Sequence, residues 1–290
     1  MKCGVSHDLA PRPRHRGPDG TRVALATSLA DLPPSDAALL EALRRQGVRA
    51  APAIWSSPDV GWAQYDLVVI RSCWDYHLRL EEFLAWVAAL DAAGVSVVNP
   101  AALVHWNARK TYLRELDAIG LPVPETLWLD EGDTVDIAAE CRAHGWESAV
   151  VKPVVSASAY CTARRRTGIA RGPAMVQAFQ AAILREGEWS VVFLGGRRSH
   201  DVRKRARASD FRVQYEHGGT VHVESAPAEV RTLADRTLGR LPCPAAFARI
   251  DIVADQDDVR LMEVEVIEPE LFLDLVPGAA DRAASVLLEI

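Results

Sequence analysis

Short apolar runs alternate with amphipathic segments over the first eighty residues that follow the N-terminal tail. The apolar runs predict four strands, and the amphipathic segments predict two helices between them. The first helix is capped by Ser35 or Asp36 and ends at Gly47, and the second ends at Gly94. The predicted elements are strands at 23–27, 48–55, 66–71 and 95–98 and helices at 35–45 and 81–93. Strands that alternate with helices form parallel βαβ units. The pattern therefore predicts a small open α/β domain over residues 21–100.

The rest of the chain has a different pattern. One helix is predicted over residues 103–120, and the strands that follow are joined by short connections. The further predicted elements are a helix at 136–144 and strands at 149–153, 175–180, 189–194, 200–207 and 212–215. Neighbouring strands with short connections are typical of antiparallel sheets. An α+β region with antiparallel sheets is therefore expected beyond a boundary near residue 100.

Carboxylates occupy unusual positions in the segment 249–271. Apolar and polar residues alternate on both sides of a polar turn, which predicts a hairpin. With the register centred on Asp257, Asp251 lies opposite Glu263, and Glu265 falls on the same face. Like charges repel across strands, so three carboxylates on an otherwise apolar sheet imply a bound cation, and oxygen-only ligands favour magnesium over zinc. The alternative is a hairpin whose acidic face lies in water.

Composition limits the class of protein. With 290 residues, 49% hydrophobic and 25% charged, the chain is typical of a soluble globular protein with two or three domains or lobes. A net charge of -6 argues against a dedicated nucleic-acid binder. The five cysteines are odd in number, far apart and without a CxxC pair, which favours a reducing cytoplasm over a disulfide framework or zinc knuckle. No segment approaches the roughly 20 apolar residues of a membrane helix, and residues 1–20 are predicted to be a disordered lead-in.

Cationic side chains stand on several predicted elements. Lys152 ends an apolar strand and precedes a proline, so its ammonium lies beyond the strand end, although a surface lysine with a buried stem is the alternative. In the basic run 197–212, the strand period puts Lys204 on the more apolar face, where it suits a buried anion, and three arginines on the opposite, solvated face. Nonspecific phosphate binding by this run would conflict with the net charge. Lys110 lies on a predicted helix and needs no function by itself.

Together these groups point to a nucleotide site. Carboxylates for magnesium, lysines on separate elements and cations on a neighbouring strand can bind a nucleoside triphosphate and neutralise a transferring phosphoryl group. The linker between the strands near Gln180 and Glu188 offers backbone donors and acceptors that suit a purine edge. The sequence contains neither GxxxxGK[ST] nor GxGxxG, so the triphosphate has to be held in another way.

The order of these motifs resembles the ATP-grasp superfamily of carboxylate ligases, in the branch that includes glutathione synthetase and the ribosomal-protein glutamate ligases. The resemblance covers residues 22–290 and implies a two-lobed fold, with lobes at 101–175 and 176–290. The segments that carry it are WNARK at 106–110, VVKP at 150–153, VQAF at 176–179, GEWS at 187–190, SDFRVQYEHGG at 209–219 and RID…LMEVE at 249–265.

The resemblance also implies roles for the matching residues. These are Lys110, Lys152, Ser156 and Ser158 for the ATP phosphates and the loop that covers them; Gln177, Ala178 and Phe179 for adenine; Glu188 for ribose; Asp251, Glu263 and Glu265 for two Mg²⁺ ions; and Arg212, with Lys204 nearby, for the acyl phosphate and its transition state. Two positions depart from the family pattern. Glu265 stands where Asn is usual, which should tighten magnesium binding, and the covering loop is rich in Ser and Ala instead of Gly.

The segments RSCWDY at 71–76 and VEVIEPELFL at 264–273 are most similar to a smaller subgroup that contains the O-ureido-serine cyclo-ligase of cycloserine biosynthesis. Ligands collect beyond the carboxyl ends of strands in open α/β sheets. We therefore assign Arg71 to a substrate carboxylate, Asp75 to a substrate amino group and Trp74 to the pocket wall. The alternative is a structural turn in which Arg71 and Asp75 pair with each other.

The expected function is that of an ATP- and magnesium-dependent ligase. A small amino-acid-like carboxylate would attack ATP to give an acyl phosphate, and a nitrogen nucleophile would then displace phosphate. A nucleophile within the same molecule gives a ring, and one from a second amino acid gives a dipeptide or other amide. Two other classes remain as alternatives: a non-catalytic nucleotide-binding regulator and a nucleic-acid-binding module. Neither a nucleic acid nor a membrane is an expected partner.

Overall fold

The computed structural model describes residues 20–157, 159–207, 210–213, 218–255 and 258–290. Residues 1–19 of the predicted lead-in and Ser158, one of the predicted phosphate-loop residues, lie outside these ranges. Within the described segments, no helix has both the length and the apolar character that a membrane crossing requires.

The N-terminal sheet is open and entirely parallel, with the strand order β2-β1-β3-β4. Its elements are β1 (Arg22–Thr27), α1 (Pro34–Arg45), β2 (Arg49–Ile54), β3 (Leu67–Ile70), α2 (Leu80–Ala92) and β4 (Ser96–Val98), with short 3₁₀ helices at Trp62–Gln64 and Tyr76–Leu78. The predicted βαβ pattern is therefore confirmed in this region.

The start of α1 differs from the prediction that Ser35 or Asp36 caps it. The helix begins after Pro33, without a side-chain cap. Asp36 is 2% exposed and accepts a hydrogen bond from Arg71 Nε at 2.8 Å, and Ser35 Oγ accepts one from the Leu273 N–H at 3.1 Å. Both side chains turn inward because they bind distant parts of the chain, which outweighs their local preference for a cap.

The single helix predicted over 103–120 is wrong. Two helices occupy this region, α3 (Ala101–Asn107) and α4 (Tyr112–Ala118). In the break between them, the Lys110 N–H donates to the Val154 carbonyl at 2.7 Å instead of to a carbonyl one turn earlier. Lys110 therefore lies on a turn that is fixed by a distant strand end, and not on a helix.

The middle of the chain forms an antiparallel sheet of order β5-β10-β7-β8 and a separate pair β6-β9. The elements are β5 (Thr126–Leu129), β6 (Thr134–Asp136), α5 (Ile137–His144), β7 (Ala149–Pro153), β8 (Ala163–Arg165), β9 (Ile169–Arg171) and β10 (Ala174–Ala178). The predicted strand that ends with Lys152 and Pro153 is confirmed as β7. Its neighbour β10 brings Gln177 to the same side of the molecule as Lys152.

The C-terminal sheet is antiparallel, with the strand order β13-β12-β11-β14-β15. The elements are α6 (Ala182–Arg185), β11 (Glu188–Leu194), β12 (Arg197–Arg205), β13 (Thr220–Val223), α7 (Ala228–Leu238), β14 (Phe247–Asp255), β15 (Asp258–Glu265) and α8 (Ala279–Leu288). The strand predicted over 212–215 is not seen at its described residues, 212 and 213, and the strand that pairs with β12 begins at Thr220 instead.

Side chains from α3 and α4 attach these helices to β15. Asn107 Nδ2 donates to the Val264 carbonyl at 2.8 Å, and Asn107 Oδ1 accepts from the Val266 N–H at 3.2 Å. The Val264 N–H donates to Tyr112 Oη at 3.0 Å. Because Lys110 lies between these two anchors, its position relative to β15 is fixed on both sides.

The N-terminal and C-terminal sheets share one apolar core. Val23 and Leu25 of β1 pack in the same cluster as Val192 of β11 and Leu287 of α8. The side chain of Asn99, 2% exposed, donates to the carbonyls of Phe247 and Val266 at 2.8 and 2.7 Å. The carboxyl end of β4 is thereby held against the start of β14 and the end of β15.

Candidate active site

The β14·β15 hairpin has the predicted register at its acidic positions, with Asp251 opposite Glu263. The register changes between Asp251 and Ile252. Asp251 pairs with Glu263 but Ile252 pairs with Leu261, so Met262 is the extra residue on β15. Such a bulge adds one residue to one strand. Here it brings Glu263 opposite Asp251 and puts Met262 into the wall of a cavity.

Asp251, Glu263 and Glu265 are close enough to share an ion. Each offers an oxygen that lies within 4.8 Å of the oxygens of the other two. Asp251 is buried and the two glutamates are half-buried. Three carboxylate oxygens that converge from a rigid hairpin fit the preference of Mg²⁺ for hard oxygen ligands.

Side-chain cations already balance much of this charge. Arg249 Nε donates to Asp251 Oδ1 at 3.0 Å, and Arg249 Nη2 donates to Glu265 Oε1 at 2.5 Å. Lys110 Nζ forms an ion pair with Glu263. The repulsion among the three carboxylates, from which we infer a metal, is therefore relieved in part by side chains of the protein itself. The sequence contains a signal for this, because Arg249 precedes Asp251 by two residues and so shares its face of β14.

Burial and these partners shift the pKa values of the carboxyl groups in different directions. Burial raises the pKa of Glu265 to about 7, although Arg249 acts in the opposite direction. Burial also opposes ionisation of Asp251, but Arg249 and Lys204 together hold its pKa below the usual range. Likewise, Lys110 outweighs burial and lowers the pKa of Glu263.

Lys204 is a buried cation and Lys152 a half-buried one, and both have polar partners. Lys204 Nζ lies 2.9 Å from Asp251 Oδ2 and 2.5 Å from Glu188 Oε1. Burial raises the pKa of Glu188. Lys152 Nζ donates to Gln177 Oε1 at 3.1 Å, and burial lowers the pKa of Lys152. Glu263 and Glu188 favour its charge but do not outweigh burial, and the group that contacts it is a neutral amide, so this position suits an anionic ligand.

One cavity of about 860 Å³ collects most of the predicted site residues. Its walls come from the N-terminal domain, the middle sheet and the C-terminal sheet. The predicted residues that line it are Lys110, Lys152, Ser156, Gln177, Ala178, Phe179, Glu188, Lys204, Arg212, Glu263, Glu265 and Trp74. The other described members of the prediction, Arg71, Asp75 and Asp251, lie outside this lining.

Arg71 and Asp75 each have a partner that the sequence analysis missed. Arg71 is 2% exposed and binds Asp36 and the Pro269 carbonyl, the latter from Nη2 at 2.9 Å. Asp75 accepts a hydrogen bond from Trp55 Nε1 at 2.8 Å. In the described residues these two side chains do not pair with each other, so the alternative of an Arg71–Asp75 turn is wrong.

The predicted adenine segment lies at one end of the cavity. The backbone N–H groups of Ala178 and Phe179 are already engaged, by the carbonyls of Glu125 and Ser148 at 2.9 and 3.0 Å. The Phe179 ring packs edge-on against Phe211, with 5.8 Å between ring centroids. This end of the cavity therefore offers aromatic surface, while the donors expected to contact a purine are in use.

Arg212 lines the cavity but is bound to its own neighbour. Its Nη2 donates to Asp210 Oδ2 at 2.7 Å, and its Nε also donates to the same carboxylate. To contact a ligand, the Arg212 side chain has to break its ion pair with Asp210, or the two residues have to move together.

Glu268 is a cavity residue to which the sequence analysis gave no role. It is 8% exposed and lines the cavity beside Glu265 and Glu270. Burial, together with the negative charge of Glu265, raises its pKa well above the ordinary value. The signal was present in the sequence, because Glu268 and Glu270 lie among large apolar residues that are typical of a buried segment.

Comparison with known proteins identifies relatives along nearly the whole chain. Residues 23–99 match the family model described as D-cycloserine synthetase DcsG, N-terminal domain. The cycloserine biosynthesis protein DcsG of Streptomyces lavendulae is 28% identical over 290 residues, which is 89% of this chain and 93% of the relative. The crystal structure of D-cycloserine synthetase DcsG superposes with a TM-score of 0.77 at 27% identity, over 92% of this chain and 99% of that one.

A more distant structural likeness extends to other ligases of the same fold. The ATP-grasp ligase PsnB, solved with a precursor variant, Mg and ADP, has a TM-score of 0.61 at 18% identity, over 93% of this chain and 98% of that one. At this identity the likeness shows the fold alone. The resemblance to the ATP-grasp superfamily and its cycloserine-synthetase subgroup is thereby confirmed, together with the predicted mixed α/β and antiparallel architecture.

Proposed function

The chain is an ATP-grasp carbon–nitrogen ligase similar to the cycloserine synthetases, and we propose that it activates a small amino-acid-like carboxylate with ATP and Mg²⁺. The carboxylate is converted to an acyl phosphate, and a nitrogen of the same molecule then closes a ring. The observation that carries this proposal is the single cavity in which a group of converging carboxylates meets lysines from three separate elements.

The acidic group suits magnesium on chemical grounds. Asp251, Glu263 and Glu265 supply only oxygen, which is the ligand set of hard cations. We assign two ions to these three residues, as the resemblance implies. Bound magnesium would neutralise charge on the transferred phosphoryl group. The neighbour PsnB was solved with Mg and ADP, which supports the same cofactors for this chain.

The lysines are assigned to the triphosphate. Lys152 is half-buried and contacts a neutral amide, so a phosphate oxygen would give it a contacting anionic partner. Lys110 sits on a turn held by Val154 and bridges to Glu263, and it has to exchange this partner for a phosphate. Ser156, 6% exposed in the loop after β7, lies within reach of the same region of the cavity.

The remaining polar residues are assigned to the two ends of the nucleotide. Glu188, at the first position of β11, is assigned to accept hydrogen bonds from the ribose hydroxyls, and the segment 177–179 is assigned to the base; both line the cavity. Arg212 and Lys204 are assigned to the acyl phosphate and its transition state. Both can donate to phosphate oxygens, and both are now held by carboxylates.

The reaction proceeds in two displacements. A substrate carboxylate oxygen attacks the γ-phosphorus, and the bond to the β-phosphate oxygen breaks to release ADP. The nucleophilic nitrogen then attacks the acyl carbon, inorganic phosphate leaves and the nitrogen loses a proton. Enclosure in the cavity keeps water from hydrolysing the acyl phosphate. Ring closure is favoured over amide formation with a second substrate because the relatives that match most of the chain are named for cycloserine.

The test is an ADP-release assay with the purified chain, ATP and Mg²⁺. Each enantiomer of O-ureido-serine is compared with a pool of amino acids, with and without hydroxylamine, and mass spectrometry follows the products. We expect ADP release with O-ureido-serine and a cyclic product. Hydroxamate formed from a pooled amino acid would favour an intermolecular ligase, and an absence of both ADP and hydroxamate with every substrate would contradict the proposed function.

A further inference from the structure

The Glu268 carboxylate is a buried polar group in the cavity wall without a partner. It is 8% exposed and lines the cavity. Across the part of the chain that the structure describes, no hydrogen bond or ion pair reaches it. Lys110 and Arg249 favour its negative charge without contacting it, but burial and the charge of Glu265 outweigh them and raise its pKa. An ion pair with a cationic ligand would favour the ionised form of this buried carboxyl group. A ligand in the cavity is the natural source of that partner.

Glu268 is separate from the proposed metal ligands. The oxygens of Asp251, Glu263 and Glu265 lie within 4.8 Å of one another, and Glu268 is not part of this group among the described residues. After burial itself, the negative charge of Glu268 is the main cause that raises the pKa of the Cys73 thiol, in the segment that follows β3. The carboxylate therefore faces the region between the acidic group and the carboxyl ends of the parallel strands.

The backbone around Glu268 is fixed on both sides. Arg71 Nη2 donates to the carbonyl of Pro269, and Arg71 is itself bound to Asp36 in the core. Two residues further on, Glu270 Oε1 accepts from the Phe272 N–H at 2.7 Å. These contacts hold the loop without engaging the Glu268 side chain, so its carboxylate is preorganised for a ligand.

We propose that Glu268 binds the ammonium group of an amino-acid substrate. This inference rests on the proposed function and names the chemistry of that substrate. An ammonium group supplies both the positive charge and the hydrogen-bond donors that an isolated carboxylate lacks. The substrate carboxylate, which is attached to the same carbon as the ammonium, then points toward Lys110 and the proposed magnesium site.

Binding in this way also protects the reaction. An ammonium that is held by a carboxylate has no free electron pair, so it does not attack the acyl phosphate. The other nitrogen of the substrate remains the nucleophile. A carboxylate at Glu268 thus selects substrates that carry an ammonium group and keeps that group from attacking a second acyl phosphate.

The test compares O-ureido-serine with its des-amino analogue, 3-(ureidooxy)propanoate. In the wild type, kcat/KM for ADP release should favour the amino compound by about 10- to 100-fold, the usual size of a charge-assisted hydrogen bond. Glu268→Gln should remove most of this preference, and Glu268→Asp, which keeps the charge, should retain part of it. KM for ATP and the Mg²⁺ concentration for half-maximal activity should stay at their wild-type values in both variants.

The matched control is Asp274→Asn, which removes one negative charge from an exposed position at the same cavity. It should keep the wild-type preference, since a general loss of negative potential is not the cause. Thermal melting of all variants shows whether they fold.

Three results would overturn the proposal. The first is that the wild type uses both compounds equally well, a result that does not depend on any variant. The second is that Glu268→Gln keeps the full preference for the amino compound. The third is that Glu268→Gln shifts the Mg²⁺ requirement, which would make Glu268 a metal ligand. If neither compound releases ADP, the proposed function fails for this substrate. Calorimetric binding of the two compounds then decides, because equal affinities overturn the role of Glu268 on their own.

Discussion

Arg249 lies directly opposite Glu265 across β14 and β15, and its Nη2 donates to the Glu265 carboxylate at 2.5 Å. Glu265 stands where the superfamily usually has Asn, so the chain carries an extra negative charge at this position. The same guanidinium also binds Asp251. The extra charge is therefore matched by a buried arginine, and tighter magnesium binding does not follow from Glu265 alone.

Replacing Arg249 should make the stability of the protein depend on magnesium. Arg249 is 7% exposed, and Arg249→Met leaves Glu265 without its paired cation and Asp251 with Lys204 alone. Loss of one partner of a buried ion pair typically costs about 3–5 kcal/mol. Thermal melting in EDTA should show a lower Tm than the wild type, and added Mg²⁺ should raise the Tm of the variant more than that of the wild type.

The control for this prediction is Arg260→Met, which removes an arginine from β15 that pairs with Asp258 at its more exposed end. It should melt within a few degrees of the wild type, because surface ion pairs contribute about 0–1 kcal/mol. An Arg249→Met protein with the wild-type Tm in EDTA would show that the arginine does not stabilise the acidic group.

Lys152 should contribute to ATP binding and little to the fold. Its ammonium has Gln177 as hydrogen-bond partner, and Lys152→Met keeps most of the buried stem while it removes the charge. We expect KM for ATP to rise about 10- to 100-fold, the usual loss when a charged hydrogen bond is removed. Steady-state kinetics with ATP as the varied substrate measures this.

The matched variant is Arg205→Gln, which removes a cation from the exposed end of β12. Its KM for ATP should equal that of the wild type. If both variants weaken ATP binding equally, the effect comes from net charge, and Lys152 has no specific contact with the phosphates.

His200 should make the protein less stable in mild acid. Burial lowers its pKa, and the ring bridges Ser199 Oγ and the Leu271 carbonyl at 2.9 and 2.8 Å. Arg282 also disfavours a charge on the ring, while Asp201 acts in the opposite direction. A folded-state pKa below the unfolded value means that the unfolded chain binds more protons, so stability is present above about pH 6.5 and falls as the pH drops below it.

The measurement is the difference in Tm between about pH 7.5 and pH 5.5, for the wild type and for His200→Gln. Acidification should lower the Tm of the wild type relative to that of the variant, because the variant cannot take up the proton. Glu265, whose pKa is raised to about 7, acts in the opposite direction in both proteins and cancels in this comparison. Equal pH dependence in the two proteins would place the acid sensitivity elsewhere in the chain.

Local sequence patterns were sufficient for the parallel sheet and for the acidic hairpin. Period-two alternation placed Asp251 opposite Glu263, even though the structure reaches this register through a bulge at Met262. The pattern could not show the bulge, since its cause lies in how the two strands meet. It could have shown Arg249, which follows the same period on the same strand.

The predictions that failed depend on contacts between distant residues. The break between α3 and α4 follows from the bond of the Lys110 N–H to Val154, a residue far along the chain. Asp36 is a residue type that favours helix caps, but its partner is Arg71, and the two side chains are buried together. Nothing in the local pattern of either segment indicates such a partner.

The proposed metal site is tested most directly by ADP release from Glu263→Gln, with Asp258→Asn as the control that removes an exposed charge from the same strand. Both proteins should melt as folded chains, because Gln keeps the shape of Glu263. We expect Glu263→Gln to make no ADP from ATP, Mg²⁺ and substrate, while Asp258→Asn keeps wild-type turnover. Full turnover by Glu263→Gln would contradict the ligand role of this carboxylate and with it the proposed reaction site.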